Sequence, residues 1–215
     1  MEKSWFVLSG KLSKINRHSS HIRFSDSFAK KMILSFTKKG DRILDPFAGY
    51  GTTLLIAQSL HRVGYGIEYD KQRCAFIQRK VHSPSVIIHG NSSKLSSYSL
   101  PKFDFCLTSP PYMRSFDKEN PFTNFSTQGT YQQYLQDIYK IYKQIQKVMK
   151  PNARIVVEVA NTFGKGHPMT SLAWDVGKEL SKIFFLENEL IYCVKDQPVD
   201  DGTFHSHVLL FRNKK

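Results

Sequence analysis

The sequence is poor in cysteine and contains no long apolar segment. Its three cysteines, Cys74, Cys106 and Cys193, lie far apart with no CxxC spacing. This argues against a disulfide framework or a cysteine-based zinc site and favours a reducing compartment. No apolar run approaches the roughly 20 residues that cross a bilayer. The N-terminus lacks the apolar length and small-residue cleavage site of a signal peptide. We therefore expect a cytoplasmic protein without membrane contact.

Acidic residues are also scarce relative to basic ones. The chain has 31 Lys and Arg against 18 Asp and Glu, a net charge of +13. Residues 1–40 hold nine basic and two acidic side chains. Such an excess indicates a polyanionic partner, and nucleic acid is favoured over a membrane surface because no basic amphipathic helix stands out. The side chains expected to contact nucleic acid are Lys11, Lys14, Arg17 and Arg114.

The order of the predicted elements indicates an α/β fold. No repeat, low-complexity tract or linker interrupts the 215 residues, so residues 1–215 are expected to form a single domain, with a basic segment and a helix in residues 1–40. Short apolar strands alternate with helical patterns, which predicts a mostly parallel, doubly wound sheet with helices on both faces. The last two strands, LENELIYCVK and FHSHVLLFRN, have no helix between them, which predicts an antiparallel terminal hairpin.

A glycine-containing turn follows the first strand of this pattern, in DPFAGYGTT (residues 45–53). Gly49 and Gly51 permit a tight turn and close approach of the backbone to a ligand, and Thr52 and Thr53 can begin the next helix. The GxG spacing has no GxxG continuation and no GK[ST], so neither a dinucleotide fingerprint nor a phosphate-binding P-loop is supported.

Two polar residues at later strand ends suggest what the turn binds. Glu68 ends the second strand about 20 residues after the glycines, where an acid can accept hydrogen bonds from both hydroxyls of a ribose. Asn91 follows the third strand, and its amide can both donate to and accept from an adenine edge. Turn and acid together favour a ligand of the nucleoside type.

The fourth strand ends in TSPPY, residues 108–112. Two prolines remove two backbone donors and fix two φ angles, so the segment can continue neither an interior strand nor a helix. With LDPFAGYGTT and GIEYD in this order and spacing, the sequence over residues 18 to 212 resembles the S-adenosylmethionine-dependent amino-methyltransferases of DNA. The serine of SPPY resembles the cytosine-N4 group, since adenine-N6 enzymes more often carry aspartate or asparagine there.

The resemblance implies a Rossmann-like sheet of seven strands with a reversed last strand, S-adenosylmethionine as cofactor, and DNA methylation within a restriction-modification system. It also implies that the segment HSSHIRF closes over the methionine end of the cofactor. Tyr50 stands where the family usually has a small residue, and Asn91 where an acid is commoner. The residues expected to bind the cofactor are His21, Arg23, Phe24, Asp45, Pro46, Phe47, Gly49, Gly51, Thr52, Thr53, Glu68, Tyr69, Asn91 and Ser109.

The same resemblance gives Ser109, Pro110, Pro111 and Tyr112 catalytic roles. The exocyclic amine of cytosine is a poor nucleophile because its lone pair is delocalised into the ring. The Ser109 side-chain oxygen and the Pro110 carbonyl can accept its two N–H bonds and aim the lone pair at the methyl group, while the prolines hold the carbonyl still. Tyr112 can stack on a base swung out of its helix. Proton loss follows methyl transfer, so no strong general base is required.

Several alternatives stay open at this point. The chain resembles RNA amino-methyltransferases and adenine-N6 enzymes to a lesser degree, and a non-catalytic nucleic-acid-binding subunit would keep the same fold. His205 and His207 form at most half a zinc site, so no metal is expected. No separate target-recognition domain is evident, which leaves specificity to residues 113–130, to the basic N-terminus or to a partner chain; a homodimer is equally open. In a bacterium or archaeon the protein would be associated with the nucleoid.

Overall fold

The computed structural model describes residues 4–8, 24–194 and 205–214. Five α-helices are present in this part of the chain: α1 (Asp26–Phe36), α2 (Thr52–Ser59), α3 (Lys71–Gln78), α4 (Tyr131–Val148) and α5 (Leu172–Ser181). The strands are β1 (Trp5–Leu8), β2 (Arg42–Asp45), β3 (Val63–Glu68), β4 (Val86–His89), β5 (Phe103–Thr108), β6 (Met149–Val159), β7 (Thr162–Gly164), β8 (His167–Thr170), β9 (Phe185–Val194) and β10 (His205–Arg212).

The main sheet has eight strands in the order β1-β9-β10-β6-β5-β2-β3-β4. Only β10 runs antiparallel to its neighbours, β6 and β9, so the predicted doubly wound sheet with a terminal antiparallel hairpin is confirmed. The predicted number of seven strands was one too few, because β1 adds to the edge of β9. Four residues are too few for a periodic signal, and β1 is held by tertiary packing: the Phe6 ring stacks on Tyr192, with 5.5 Å between ring centroids.

Helices cover both faces of the sheet. Helices α4 and α5 bury their apolar stripe on one face, where Leu135, Ile138, Tyr142, Ile145 and Met149 all lie in the core as the helical periodicity predicts. Helix α1 packs on the other face through Phe28 and Met32, and Ser25 caps it by accepting a hydrogen bond from the Phe28 N–H.

Some predicted boundaries were wrong, each for a tertiary reason. The pattern of TTLLIAQSLHRVG predicts a helix over residues 52–64, but α2 ends at Ser59, because Val63 and Gly64 pair with Arg42 and Ile43 of β2. The pattern of MTSLAWDVGKELSKIFF predicts a helix that begins at Met169, but α5 begins at Leu172, because residues 167–170 form β8 and pair with β7. The glycine at position 40 predicts the end of the first helix there, but α1 already ends at Phe36, and the Thr37 N–H donates to the Ile33 carbonyl.

The order of the strands places a crevice between β2 and β5. The chain builds β2, β3 and β4 outward in one direction and then returns to lay β5 on the other side of β2. In open sheets of this kind, the loops at the carboxyl ends of the two strands at the switch point diverge and leave room for a ligand. The glycine turn follows β2. Thr108 of TSPPY is the last residue of β5, and SPPY directly follows that strand.

Candidate active site

The glycine turn is built on two residues in the left-handed region of the backbone. Gly49 has φ +55° and Gly51 has φ +81°, which residues with a Cβ rarely adopt. A Cβ on Gly51 would also lie 3.0 Å from Cγ1 of Ile77 in α3. The turn is closed by a hydrogen bond from the Gly51 N–H to the Ala48 carbonyl (2.7 Å), and Gly51 immediately precedes the first residue of α2. The N-terminus of α2 therefore lies at the crevice.

Glu68 lies beside this turn with its carboxylate almost fully buried. Its Oε2 accepts the Gly49 N–H at 2.8 Å, its Oε1 accepts the Asp70 N–H at 2.8 Å, and the Arg73 guanidinium lies 4.0 Å from Oε1. Burial raises the pKa of Glu68, while these donors and the Arg73 charge lower it. Because a carboxylate has about four acceptor positions, two remain after the backbone bonds. The group can thus accept two further hydrogen bonds.

Asp45 joins the glycine turn to the segment after β5. Its Oδ1 accepts the Thr108 hydroxyl at 2.7 Å and the Phe47 N–H at 3.1 Å. Burial raises the pKa of Asp45 to about 6, although the hydrogen bonds from Thr53, Thr108 and Phe47 lower it. Since Thr108 directly precedes Ser109, this carboxyl fixes the two loops of the crevice relative to one another.

The SPPY segment leaves the sheet as soon as β5 ends. Pro110 is buried, whereas Ser109, Pro111 and Tyr112 are half-buried. The Tyr112 hydroxyl accepts the Ala160 N–H at 3.0 Å and donates to Glu158 Oε2 at 3.4 Å. Burial raises the pKa of Tyr112 well above its ordinary value, and the Glu158 charge raises it further. The tyrosine is therefore held at the end of β6 as a neutral phenol.

Other predicted cofactor residues have structural contacts of their own. The Asn91 Oδ1 accepts the Ser93 N–H at 2.8 Å, so this side chain begins a short 3₁₀ helix over Ser92–Ser97 and keeps its NH₂ group as a donor. The Ser92 hydroxyl donates to the Pro46 carbonyl, which ties this helix to the glycine turn. Tyr69 is exposed, and its carbonyl oxygen lies at hydrogen-bonding distance, 3.1 Å, from His89 Nε2.

The remaining predicted residues within the described part of the chain pack against other elements of the fold. Thr52 and Thr53 are buried, and the Thr53 hydroxyl oxygen lies 3.4 Å from the Leu107 carbonyl oxygen. Phe24 is buried against Phe28, and the Phe47 ring packs on Phe122 with centroids 5.8 Å apart. Five predicted residues lie outside the described part of the chain: His21, Arg23, Lys11, Lys14 and Arg17.

Tyr50 and Arg114 make contacts that the sequence did not indicate. Tyr50 packs edge-on against Phe76, with Arg73 over its ring, so the large side chain is accommodated beside α3. The Arg114 guanidinium binds Asp117 at 3.0 Å and lies 4.8 Å from the centroid of Phe116.

Residues 113–130 pack onto the small hairpin of β7 and β8. The Phe116 ring stacks on His167 with centroids 3.9 Å apart, and a Cβ on Gly164 would lie 2.1 Å from its Cζ atom. The Ser115 N–H donates to the Thr170 hydroxyl at 2.9 Å. A recess of about 300 Å³ opens on this loop and is lined by Arg114, Phe116, Asp117, Lys118, Glu119 and Phe125.

The histidines of β10 are engaged in protein contacts. His207 is buried, its Nδ1 lies 2.5 Å from Glu189 Oε1, and its Nε2 lies 3.4 Å from the Asn161 amide nitrogen. No group of three or more metal-ligating side chains occurs among the residues that the structure describes. None of the helices in the described ranges is long and apolar enough to cross a membrane.

Comparison with known proteins settles the family. The sequence pattern of the N6/N4-type DNA methylases matches residues 2–79 and 103–208, which is most of the chain. The chain belongs to this DNA methylase family. The family and the fold are those of S-adenosylmethionine-dependent methyltransferases, which confirms the predicted cofactor at that level.

Individual relatives match shorter parts of the chain than the family pattern does. The type II methyltransferase M.BglII of Bacillus subtilis is 38% identical over 50 residues, which are 23% of this chain and 14% of that protein. Matches to type II methyltransferases span 14% to 25% of the length of those relatives.

Solved structures with the same fold are more distant in sequence. TrmN from Thermus thermophilus has a TM-score of 0.65 at 17% identity, over 88% of this chain and 49% of that one. The N-methyltransferase NodS of Bradyrhizobium japonicum WM9, solved with S-adenosyl-L-homocysteine, has a TM-score of 0.62 at 12% identity, over 88% and 86% of the two chains.

Proposed function

We propose that the protein transfers a methyl group from S-adenosylmethionine to an exocyclic amine of a flipped base in DNA, with cytosine N4 as the preferred target. The observation that carries this proposal is the meeting of two loops at the switch point. The glycine turn after β2 and the SPPY segment after β5 flank one crevice, and the Thr108 hydroxyl joins them through Asp45 at 2.7 Å.

The residues around the glycine turn fit the cofactor. Glu68 has two acceptor positions left after its backbone bonds, which matches the two hydroxyls of a ribose. The Asn91 NH₂ group is left as a donor for an adenine edge. Because Gly49 and Gly51 have no side chains, the backbone of the turn can lie close to a ligand. When bound here, S-adenosylmethionine supplies an electrophilic methyl group on a positively charged sulfur.

The SPPY segment provides the acceptors that an amine requires. Ser109 is half-buried directly after β5, and in the proposed complex its hydroxyl oxygen is one acceptor. The Pro110 carbonyl is the second acceptor, on a backbone with fixed φ angles. Two acceptors bound to the two N–H groups favour a pyramidal nitrogen with its lone pair free, and such preorganisation needs no rearrangement during the reaction. The Tyr112 ring offers a stacking surface for the base.

DNA binding is expected to involve the basic N-terminal segment and the loop after Tyr112. We propose that Lys11, Lys14, Arg17 and Arg114 contact phosphates. The loop and the β7–β8 hairpin pack together beside SPPY and carry the exposed Phe125, Phe163 and Met169. We propose that this surface or a partner chain supplies the sequence specificity, as a partner would in a restriction-modification system.

A serine substitution tests the proposal. Ser109→Ala should abolish methylation of DNA while the affinity for S-adenosylhomocysteine stays within about twofold of wild type, because the removed hydroxyl serves the amine. Ser59→Ala is the matched control: this exposed serine lies at the far end of α2, where its hydroxyl donates only to the Ile56 carbonyl. Full activity of Ser109→Ala would contradict the proposed role of SPPY.

A further inference from the structure

Residues 118–129, which follow SPPY in the chain, form a small closed loop that we call the 118–129 loop. Two backbone hydrogen bonds close its stem. The Gly129 N–H donates to the Lys118 carbonyl at 2.8 Å, and the Asn120 N–H donates to the Thr127 carbonyl at 2.7 Å. The residues between Asn120 and Thr127 therefore form a tip that is held at its base.

A buried phenylalanine in the tip, Phe122, fixes the loop beside the crevice. The Phe122 ring stacks on Tyr134 of α4, with 5.3 Å between ring centroids, and lies 5.8 Å from the ring of Phe47 in the glycine turn. The loop is thus continuous in the chain with SPPY and in contact with the glycine turn. It lies next to the crevice that these two segments flank.

Phe125, at the same tip, is turned outward. Among the phenylalanines of residues 113–130, Phe116 stacks on the β7–β8 hairpin and Phe122 is buried, whereas Phe125 is 53% exposed. The φ angle of Phe125 is +62° and that of the preceding Asn124 is +52°. A bulky side chain rarely adopts this left-handed conformation, and residues held in it cluster at functional sites.

Hydrogen bonds on both sides of Phe125 hold it in this conformation. The Phe125 N–H donates to the Asn120 carbonyl at 3.0 Å, and the Ser126 N–H donates to the Thr123 carbonyl at 3.2 Å. The Asn120 side-chain oxygen accepts the Phe122 N–H at 2.9 Å, which ties the outward phenylalanine to the anchored one. The exposed ring is therefore carried on a backbone that is already ordered, so placing it in a partner costs little further conformational entropy.

We propose that Phe125 inserts into the DNA duplex at the position that the target base leaves. The inference rests on the proposed function, because a base can reach SPPY only after it has swung out of its helix. The departure of the base removes stacking from its neighbours. An apolar side chain inserted between base steps replaces part of that stacking, and phenylalanine is one of the residues that proteins use in this way.

The side chains around Phe125 favour DNA over an apolar protein partner. The recess beside its ring is also lined by Arg114, Asp117, Lys118 and Glu119. Arg114 binds both oxygens of Asp117, at 2.8 and 3.0 Å, so this acid is compensated within the protein, and Lys118 is exposed at the stem of the loop. An apolar partner would have to desolvate these charged groups, whereas the phosphates beside an opened base step can be met by Lys118.

A comparison of native and denatured DNA tests the inference. Phe125→Ala should lower kcat/KM for methylation of native, unmethylated genomic DNA about 10- to 100-fold, because the stacking of bases on the ring is lost. On the same DNA after heat denaturation the loss should be less than about twofold, since no paired base has to leave a duplex. Phe125→Leu keeps an apolar side chain that can insert, and it should restore most of the activity on native DNA.

A binding measurement gives a second readout that needs no turnover. Fluorescence anisotropy compares an intact duplex with the same duplex carrying one abasic site in place of a cytosine, both in the presence of S-adenosylhomocysteine. The wild type should bind the abasic duplex at least about fivefold more tightly, because the gap that Phe125 fills is already open. Phe125→Ala should bind the two duplexes with equal affinity.

Phe185→Ala is the matched control, because Phe185 is 52% exposed. It begins β9, which runs parallel to β5, so it lies at the amino edge of the sheet, opposite the edge that SPPY follows. This variant should match the wild type in both assays.

Three results would overturn the inference: wild-type kcat/KM of Phe125→Ala on native DNA, an equal loss on native and denatured DNA, or an undiminished preference of Phe125→Ala for the abasic duplex. If the wild type does not methylate denatured DNA, the abasic duplex decides. Failure of the proposed function is recognised separately, by full activity of Ser109→Ala.

Discussion

Replacing Glu68 by glutamine tests the cofactor site most sharply. The carboxylate accepts the Gly49 N–H with one oxygen and the Asp70 N–H with the other, both at 2.8 Å. An amide has only one oxygen, so one of these two N–H groups would face an NH₂ group. The same change removes the charge that the two ribose hydroxyls are expected to meet.

The magnitudes follow from the burial of this group, which is 7% exposed. A buried donor left without an acceptor costs about 1–3 kcal/mol. For a chain of this size that corresponds to a fall in Tm of about 2–10 °C. A hydrogen bond to a charged group contributes about 1.5–3 kcal/mol, so the loss of one in the cofactor complex should weaken binding about 10- to 100-fold.

Calorimetric titration with S-adenosylhomocysteine measures the affinity, and thermal unfolding of the same samples measures the stability. Glu179→Gln is the matched control, because this side chain lies in α5 and pairs with Lys182 at 2.5 Å, whereas Glu68 ends β3. The control should have an affinity and a thermal stability close to those of the wild type. An unchanged affinity of Glu68→Gln, with the protein folded, would refute the assignment of Glu68 to the ribose.

Three further predictions concern stability and DNA binding. Burial raises the pKa of Asp45 from 3.8 to about 6. The folded state therefore keeps a proton that the unfolded chain releases, and stability falls by roughly 3 kcal/mol as pH rises from 4 to above 6. Asp45→Asn should remove this part of the pH dependence in urea unfolding, and an identical slope would contradict it. Gly51→Ala should destabilise more than Gly40→Ala. Both sites have positive φ, but a Cβ on Gly51 would lie 3.0 Å from Ile77, whereas a Cβ on Gly40 would have no neighbour within 4 Å. Equal losses in unfolding free energy for the two variants would contradict this packing argument. DNA affinity measured by fluorescence anisotropy should fall steeply between 50 and 200 mM salt, and a flat response would exclude phosphate contacts by the basic segment.

Local sequence patterns were enough to predict the architecture of the crevice. The period of the apolar residues separates strands from helices, and the glycines of the turn follow from backbone geometry that does not depend on distant contacts. Glu68 could be located because strand ends of a parallel sheet meet at one edge. Because these features depend on residues that lie close together in the chain, they can be predicted from a single sequence.

Contacts between distant segments could not be predicted in this way. Strand β1 is too short to have a period and depends on Tyr192, which is more than 180 residues away in the chain. The Asn91 amide is predicted to donate to and accept from an adenine edge, but the sequence does not indicate that its oxygen also accepts the Ser93 N–H at the start of a 3₁₀ helix. Nothing in TSPPY indicates that the Tyr112 hydroxyl accepts the Ala160 N–H and donates to Glu158, since Glu158 lies in β6 and Ala160 directly follows that strand.

The proposed reaction is tested most directly by following a labelled methyl group. Purified protein is incubated with tritiated S-adenosylmethionine in three separate reactions, which contain DNA, tRNA or rRNA. The methylated nucleosides are then identified by mass spectrometry. The expected result is label in DNA as N4-methylcytosine, with none from Ser109→Ala. Label as N6-methyladenine would contradict the choice of cytosine, label in RNA alone would contradict DNA as the substrate, and no label in any polymer would contradict methyl transfer itself.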